Sequence, residues 1–434
     1  MLPVPPPVVT KPEPRATVLG RFLRGSLGSG VAVLARAAGA LTVNKLLAVY
    51  GGPGGLTLLA HFQNLMALFT TLPNDGVHVG LVKYLAPLPT GSRGYRRWLQ
   101  AGIVLNISIL FLGCLLLVLV PTPLVGVFHP SAAWVVLFAV GIALLTAYGL
   151  LVSVLLAAGE LRVYVGLTVA LSGLGAGAVA LLLALHVPHL EWVLLAYLLA
   201  QGLTLVPALR ACRRLGLLRG VGRGRVSRPA LLLLGKFLLM ALSVLLFGKA
   251  VDFALREVLI RRFTLGQTDL WQAVAKLSDN YTMVFSAIMS SVYYPRLAAL
   301  TNHPAALRSY VRTVLLLLAP VLAGGLGAIY LLRDWLLPLL FEQHFAAARG
   351  LLAPQLIGDW AKFLTWVLLF LLTAHAQVGR YVAAQVISAI LYAGLLAVLL
   401  PHYQLLGAPL AHAARFGILL IGYGIYFQRY WKHA

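Results

Sequence analysis

Acidic residues are scarce in this 434-residue sequence: 11 Asp and Glu stand against 34 Lys and Arg, and charged residues together make up only 10 % of it. A soluble globular chain carries about a quarter charged residues. With 61 % hydrophobic residues and a mean hydropathy of +0.91, the chain reads as an integral membrane protein. Cysteine is almost missing as well. Cys114 lies in an apolar run and Cys212 in a basic one, which gives neither a disulfide framework nor metal-ligand spacing. Several catalytic motifs are absent too. Neither Gly-Lys dipeptide, at 235 and 248, is followed by Ser or Thr, so there is no phosphate-binding loop of the nucleotide-hydrolase kind. No His-Glu-x-x-His occurs, and His186 and His189 flank Pro188 in a loop setting. No outer loop exceeds about a dozen residues on the span assignment below, which leaves an enzyme no extramembrane domain to work in.

What is present is a series of apolar runs long enough to cross a bilayer, which takes about 20 residues. Twelve are expected, at 25–49, 56–82, 98–120, 132–156, 164–185, 192–209, 231–257, 269–292, 313–332, 350–373, 381–400 and 407–427. Backbone polar groups find no water in hydrocarbon, so the runs should be helices; the period-two alternation of a membrane barrel is missing. The expected class is an all-α integral membrane protein with twelve transmembrane helices in two six-helix lobes around a central cavity. Residues 1–24 read as a Pro-rich cytoplasmic tail, 25–215 as the first lobe, 216–229 as a basic linker and 230–434 as the second lobe.

The formal net charge of +23 would suggest nucleic acid in a soluble chain, but its location decides otherwise. Lys83, Arg93, Arg96, Arg97, Arg162, the run from Arg210 to Arg228, and Arg296, Arg308, Arg312 and Arg380 fall on one face, with Arg261, Arg262, Arg333 and Arg349 on the other. Lys and Arg collect in cytoplasmic loops, so both termini are expected in the cytoplasm, and nucleic acid is not an expected partner. A short internal echo supports parallel halves: Val82-Lys83-Tyr84-Leu85-Ala86 matches Tyr294-Pro295-Arg296-Leu297-Ala298. Gly166, Ser172, Gly173, Gly175 and Gly177 in the fifth span predict close helix contact, and Pro73, Pro207 and Pro320 predict kinks.

Charges inside the spans need a reason, since each costs about 2.5–3.5 kcal/mol at mid-bilayer. Arg36, Lys45, Lys249, Arg256, Lys276, Lys362 and Arg415 are set against Asp75, Asp252, Glu257, Asp279 and Asp359, a basic excess. Lys249, Asp252 and Arg256 share one helical face by their i, i+3, i+7 spacing. The pairs 252/256, 276/279 and 359/362 either neutralise each other within their helices or leave a wet, cationic interior. Arg36 and Lys45 have no acid a turn away, so they are expected to meet an anion elsewhere. The expected ligand contacts are Arg36, Lys45, Lys249, Arg256, Lys276 and Lys362, and the expected coupling or cavity acids are Asp75, Asp252, Asp279 and Asp359. No metal site and no cofactor are expected; a proton or Na+ on one acid is the expected coupling device.

Longer strings carry a resemblance. Asn44-Lys45-Leu46-Leu47-Ala48-Val49, Gly52-Pro53-x-Gly55-Leu56 and Val82-Lys83-Tyr84-Leu85-Ala86 resemble the opening of Wzx-type flippases of the multidrug/oligosaccharidyl-lipid/polysaccharide (MOP) exporter superfamily. Lys236-Phe237-x-Leu239-Met240-Ala241-Leu242, Trp271-Gln272-x-Val274 with Leu277-Ser278-Asp279, Leu332-Arg333-Asp334 and Gln355-Leu356-x-Gly358-Asp359-x-x-Lys362 resemble its lipid III branch in order and spacing. Arg36, Lys45, Lys83, Arg256, Asp279, Asp359 and Lys362 match; the Pro-rich tail, Lys249 and Asp252 do not. The resemblance implies a MATE-like two-lobe fold in the bacterial inner membrane. It also implies flipping of an undecaprenyl-diphosphate-linked oligosaccharide, lipid III or an O-antigen repeat unit, to the periplasmic leaflet. The implied partners are that lipid, the bilayer, and polymerase and chain-length regulator proteins. Two other readings stay open: a drug/cation antiporter of the same superfamily, which calls for an acid-dominated cavity, and a membrane-embedded glycan polymerase or ligase, which would form covalent product.

Overall fold

The computed structural model describes residues 15–433 apart from 120–124, 220, 221, 223–225, 290–292, 302 and 376, with the side chains of those from Ala32 to Gln428 except 118, 287, 295, 298 and 299. Residues 1–14, and so most of the Pro-rich tail, lie outside the described residues, as does part of the 216–229 linker. The described residues are helical with short connections. The helices are α1 (Arg15–Tyr50), α2 (Gly55–Thr71), α3 (Val79–Leu85), α4 (Arg93–Leu119), α5 (Ala132–Ala157), α6 (Leu161–Ala184), α7 (Leu190–Gly202) and α8 (Leu205–Arg214) in the first half of the chain. The second half holds α9 (Arg228–Val244), α10 (Ala250–Arg262), α11 (Leu265–Ile288), α12 (Tyr294–Ala299), α13 (Pro304–Leu331), α14 (Arg333–Leu340), α15 (Arg349–Ala374), α16 (Val378–Tyr403) and α17 (Gly407–His433). Helix α1 begins at Arg15, ahead of the expected start at 25.

Among the described residues, each of the twelve apolar runs falls on one or two of these helices and the turns that join them. Nine stretches among the described residues are long and apolar enough to cross a membrane, and the last of them, 378–428, contains both α16 and α17. The helical stretches 55–85 and 265–288 fall short of that apolarity. They carry Gln63, Asn64, Asn74, Asp75 and His78, and Asp269, Gln272, Lys276 and Asp279. Polar side chains in a membrane helix face a partner or water, and both stretches do. Pro73 opens a π-helical turn, Leu72–His78, that joins α2 to α3, because proline removes a ladder donor and the helix re-registers around it. A second π-helical turn, Leu245–Lys249, joins α9 to α10 and ends on Lys249.

Packing divides the molecule lengthwise. At the end that holds the turns 51–54 and 263–264, a single core draws on both halves: Leu47, Phe62, Trp134 and Phe138 pack in one cluster with Leu259, Val274, Leu277 and Phe345. Trp134 stacks on Phe138 and Phe128, with Phe62 edge-on, contacts worth about 0.5–1.5 kcal/mol each. At the opposite end two separate cores form. One holds Val77, Leu81, Leu99 and Val154, with Ala230 and Leu234 of α9. The other holds Phe285, Leu297, Phe363 and Leu371, all of the second half. Helix α9 thus leans on the first half: a Cβ on Gly76 or Gly80 would meet Leu238 or Leu234, which is how small residues four apart let membrane helices approach. The fifth-span expectation needs correction. Ser172 packs close to Gly39, and Gly175 packs close to Tyr197 and Gln201, but among the described residues nothing lies within 4 Å of a Cβ placed on Gly166, Gly173 or Gly177.

The tightest approach is between α15 and α17, where a Cβ on Gly358 would stand 2.9 Å from the Ala413 Cα and 2.4 Å from the His412 ring. Backbone cannot yield as a side-chain tip can. Gly358→Ala is expected to lower stability by about 1–3 kcal/mol, read as an earlier thermal unfolding midpoint in detergent; an unchanged midpoint would mean that the two helices are free to part.

Candidate functional site

A cavity of 750 Å³ opens inside the second half and reaches across to α2. Only Ala60, Gln63, Asn64 and Ala67 come from the first half of the chain. Among the described residues five cations line it, Lys249, Arg256, Lys276, Lys362 and Arg415, against two carboxylates, Asp252 and Asp279. The i, i+3, i+7 spacing puts Lys249, Asp252 and Arg256 together on the wall, as a shared helical face requires.

The cations are held mainly by neutral groups. Arg256 is buried; its Nε donates to Gln272 Oε1 at 2.8 Å and its Nη1 to the Ala60 carbonyl at 3.4 Å, with the Trp271 ring beside it. Lys276 donates to Gln63 Oε1. Arg415 donates from Nε to Ser388 Oγ at 2.7 Å and lies between the rings of Tyr392 and Phe416. Asp252 and Asp279 are exposed in the cavity and within electrostatic reach of Arg256. Neither closes an ion pair among the described residues, so of the three expected pairs only 359/362 forms, at 2.7 Å.

Four expected site residues stand elsewhere. Asp359 has no exposed surface. Its Oδ1 accepts from Lys362 Nζ and lies 3.1 Å from His412 Nε2, while Oδ2 accepts from Ser278, Tyr281 and Gln355 at 2.6, 2.5 and 3.3 Å. A carboxylate so saturated is the knot that ties α11, α15 and α17 together, not a cavity acid. Lys45 donates to the carbonyls of Pro338 and Leu339 at 3.2 and 3.1 Å; the last carbonyls of α14 lack helical partners and carry partial negative charge, which suits an ammonium. Arg36 is exposed on α1, within electrostatic reach of Tyr148, and does not line the cavity. Asp75 is exposed on the π-helical turn, within reach of Lys249 but outside the lining.

The sequence reading also missed residues. Asp269 accepts from the Gly54 and Thr57 amides at 2.6 and 2.7 Å. Those N–H groups open α2 and have no helical acceptor, so a carboxylate on α11 caps a helix of the other half. Gly54 sits at φ 95°, a left-handed turn that brings its amide there. Thr264 and Gln267 form a reciprocal cap that starts α11 just before Asp269. The same end carries Lys45 on the α14 carbonyls, Arg256 on Ala60, Lys276 on Gln63, and His61 Nε2 3.4 Å from Glu257 Oε2. Polar threads thus run along α1 and α2 to the second half. Gln63 and Asn64, adjacent amides in an apolar run, were the sequence signal for the first-half wall of the cavity.

Two expectations follow. Asp359→Ala leaves Lys362 without its carboxylate and should cost about 3–5 kcal/mol of stability, whereas Asp252→Ala, exposed in the cavity, should move the thermal midpoint far less; equal shifts would contradict the knot. Asp269→Ala removes the cap of α2, typically worth about 1–2 kcal/mol. A cysteine placed at Thr57 should then react faster with a water-soluble thiol reagent than it does with Asp269 intact, and an equal rate would mean that the cap does not hold this end closed.

No family model matches the chain. A curated protein of Escherichia coli (strain K12), "Lipid III flippase", is 28 % identical over 410 residues, covering 91 % of this chain and 95 % of its own, and one of Shigella flexneri with the same name matches to the same extent. Among solved structures, an inward-facing multidrug resistance MATE transporter of the MOP superfamily aligns with a TM-score of 0.73 at 12 % identity over 93 % of this chain and 95 % of that one. The lipid II flippase MurJ in an inward closed conformation aligns with a TM-score of 0.66 at 12 % identity over 94 % and 87 %. The structural likenesses show a shared all-helical membrane fold, and the sequence match gives the line of descent. The chain is a multi-pass membrane protein on the fold shared by the MATE transporter and MurJ structures, and along nearly its whole length it is similar in sequence to the lipid III flippases.

Proposed function

We propose that the chain flips an undecaprenyl-diphosphate-linked oligosaccharide, lipid III of enterobacterial common antigen or an O-antigen repeat unit, from the cytoplasmic to the periplasmic leaflet of the bacterial inner membrane. The single observation that carries this reading is the cavity's charge: five cations against two carboxylates, in a setting where each unpaired ion is costly. A diphosphate supplies the missing negative charge, and charge-assisted hydrogen bonds from Arg and Lys are the strong ones. Lys249, Arg256 and Lys276 hold the diphosphate; Lys362, tied to Asp359, sets the local field; the polyprenyl tail stays in lipid. Asp252 and Asp279 hold the cations between cycles, and one of them takes a proton or Na+ to drive the return.

In this reading all twelve helical runs span the membrane, in lobes at 25–215 and 230–434, with both termini cytoplasmic. The end stitched by Lys45 and Asp269 is then periplasmic and shut, and the end with two separate cores is cytoplasmic, where the substrate enters. Alternating access exchanges which end is shared. Substrate binding must not favour one state by more than a few kcal/mol, or the cycle stalls.

The likeness to MATE transporters gives drug/cation antiport as the second reading, and the excess of cations over carboxylates in the cavity counts against it. Both are separated in proteoliposomes. Wild-type chain should translocate an undecaprenyl-diphosphate-linked oligosaccharide, and Arg256→Gln and Lys276→Gln should each slow it by about tenfold or more, one charge-assisted contact's worth. Wild-type rates in both variants, or transport of a cationic dye and not of the lipid, would sink the proposal.

A further inference from the structure

Helix α16 is apolar over most of its length, yet Tyr381, Gln385, Ser388 and Tyr392, spaced i, i+4, i+7, i+11, all line the cavity. That spacing makes one helical stripe. A diphosphate needs none of these groups, so the stripe calls for a second chemistry in the same cavity. Its hydrogen bonds are few and mutual: Gln385 Nε2 donates to the Tyr381 hydroxyl at 3.1 Å, and Ser388 Oγ accepts from Arg415. Gln385 Oε1 accepts from nothing among the described residues and is not among the buried, unpaired atoms, so it remains open to a ligand. The Arg415 guanidinium carbon lies 4.7 and 4.9 Å from the centroids of the Tyr392 and Phe416 rings. With Nε on Ser388, its remaining N–H groups are spare, since a guanidinium has five.

Rings beside an amide and a fixed guanidinium are what a pyranose needs. Its C–H face packs on aromatic rings, and its rim of oxygens takes donors and acceptors at fixed spacing. The stripe lines the same cavity as Arg256, Lys249 and Lys276, the cations that face a diphosphate. A sugar joined to a diphosphate would span the two. Resting on the flippase reading above, we propose that the α16 stripe with Arg415 is a saccharide subsite: the half-buried Tyr381 stacks a sugar ring, Gln385 and Arg415 read glycan oxygens, and the buried Tyr392 ring backs the Arg415 guanidinium. The subsite selects glycan-bearing lipid over bare polyprenyl diphosphate, with its specificity residues on the second half alone.

The test is binding to purified full-length chain in nanodiscs with two probes, undecaprenyl diphosphate and undecaprenyl diphosphate bearing a short N-acetylhexosamine oligosaccharide. Wild type should bind the glycan-bearing probe about tenfold more tightly. Gln385→Ala and Arg415→Gln should each bring that ratio close to one by weakening the glycan-bearing probe, whereas Arg256→Gln should weaken both probes alike. Tyr381→Phe, which keeps the ring, should retain more of the preference than Tyr381→Ala. A ratio unchanged in Gln385→Ala and Arg415→Gln, or both probes weakened equally by them, overturns the saccharide subsite while leaving diphosphate capture standing. If wild type binds neither probe, the flippase reading falls and the subsite falls with it.

Discussion

An ion in hydrocarbon must be matched or wet, and this chain meets that constraint in two different ways a few turns apart. Asp359 is matched: it is fully buried, and Lys362, His412, Ser278, Tyr281 and Gln355 surround it. Removing one partner from such a group leaves an uncompensated charge, which is why it acts as a rigid knot. Arg256, Lys276 and Arg415 are met by amides, a hydroxyl, a carbonyl and ring faces around open volume, with Lys249 on the same wall. The first arrangement fixes the second half as a body. The second leaves positive charge facing a space that a ligand can enter.

The same constraint shapes the contact between the halves. Helix-to-helix association in a membrane gains nothing from excluding water and depends on close packing and hydrogen bonds. At one end both are present: a core shared by the halves, and the threads from Lys45, Asp269, Arg256 and Lys276. Each is worth about 1 kcal/mol net, enough in sum to hold the end shut and little enough to be undone in a transport cycle. At the other end the cores are separate, apart from α9 on the first half. Arg256 and Lys276 belong both to the threads and to the cavity wall.

How much of this was legible in the sequence follows the reach of each interaction. Apolar runs mark where helices fall, and Lys83 and Arg296, the basic residues of the short internal echo, both lie over aromatic rings. Lys249, Asp252 and Arg256 could be put on one face because helical spacing is local. Lys45 was misread because its partner is not a side chain at all but the carbonyl end of α14, far along the chain. Asp269 went unnoticed for the mirror reason: it caps backbone amides of another helix, and no spacing rule reaches across lobes. Apolar counting also undervalues α2 and α11, the helices whose polar faces meet between the halves. Arg415 was seen as an intramembrane charge, but the Tyr381, Gln385, Ser388, Tyr392 stripe that explains its setting was not read from α16.

The central claim is that the cations of the second half capture a diphosphate. An experimental structure of the chain with an undecaprenyl-diphosphate-linked saccharide tests it most directly. The account predicts the two phosphorus atoms among Lys249, Arg256 and Lys276, in contact with their nitrogens. Phosphates resting instead beside Arg36 on α1, or outside the cavity altogether, would contradict it.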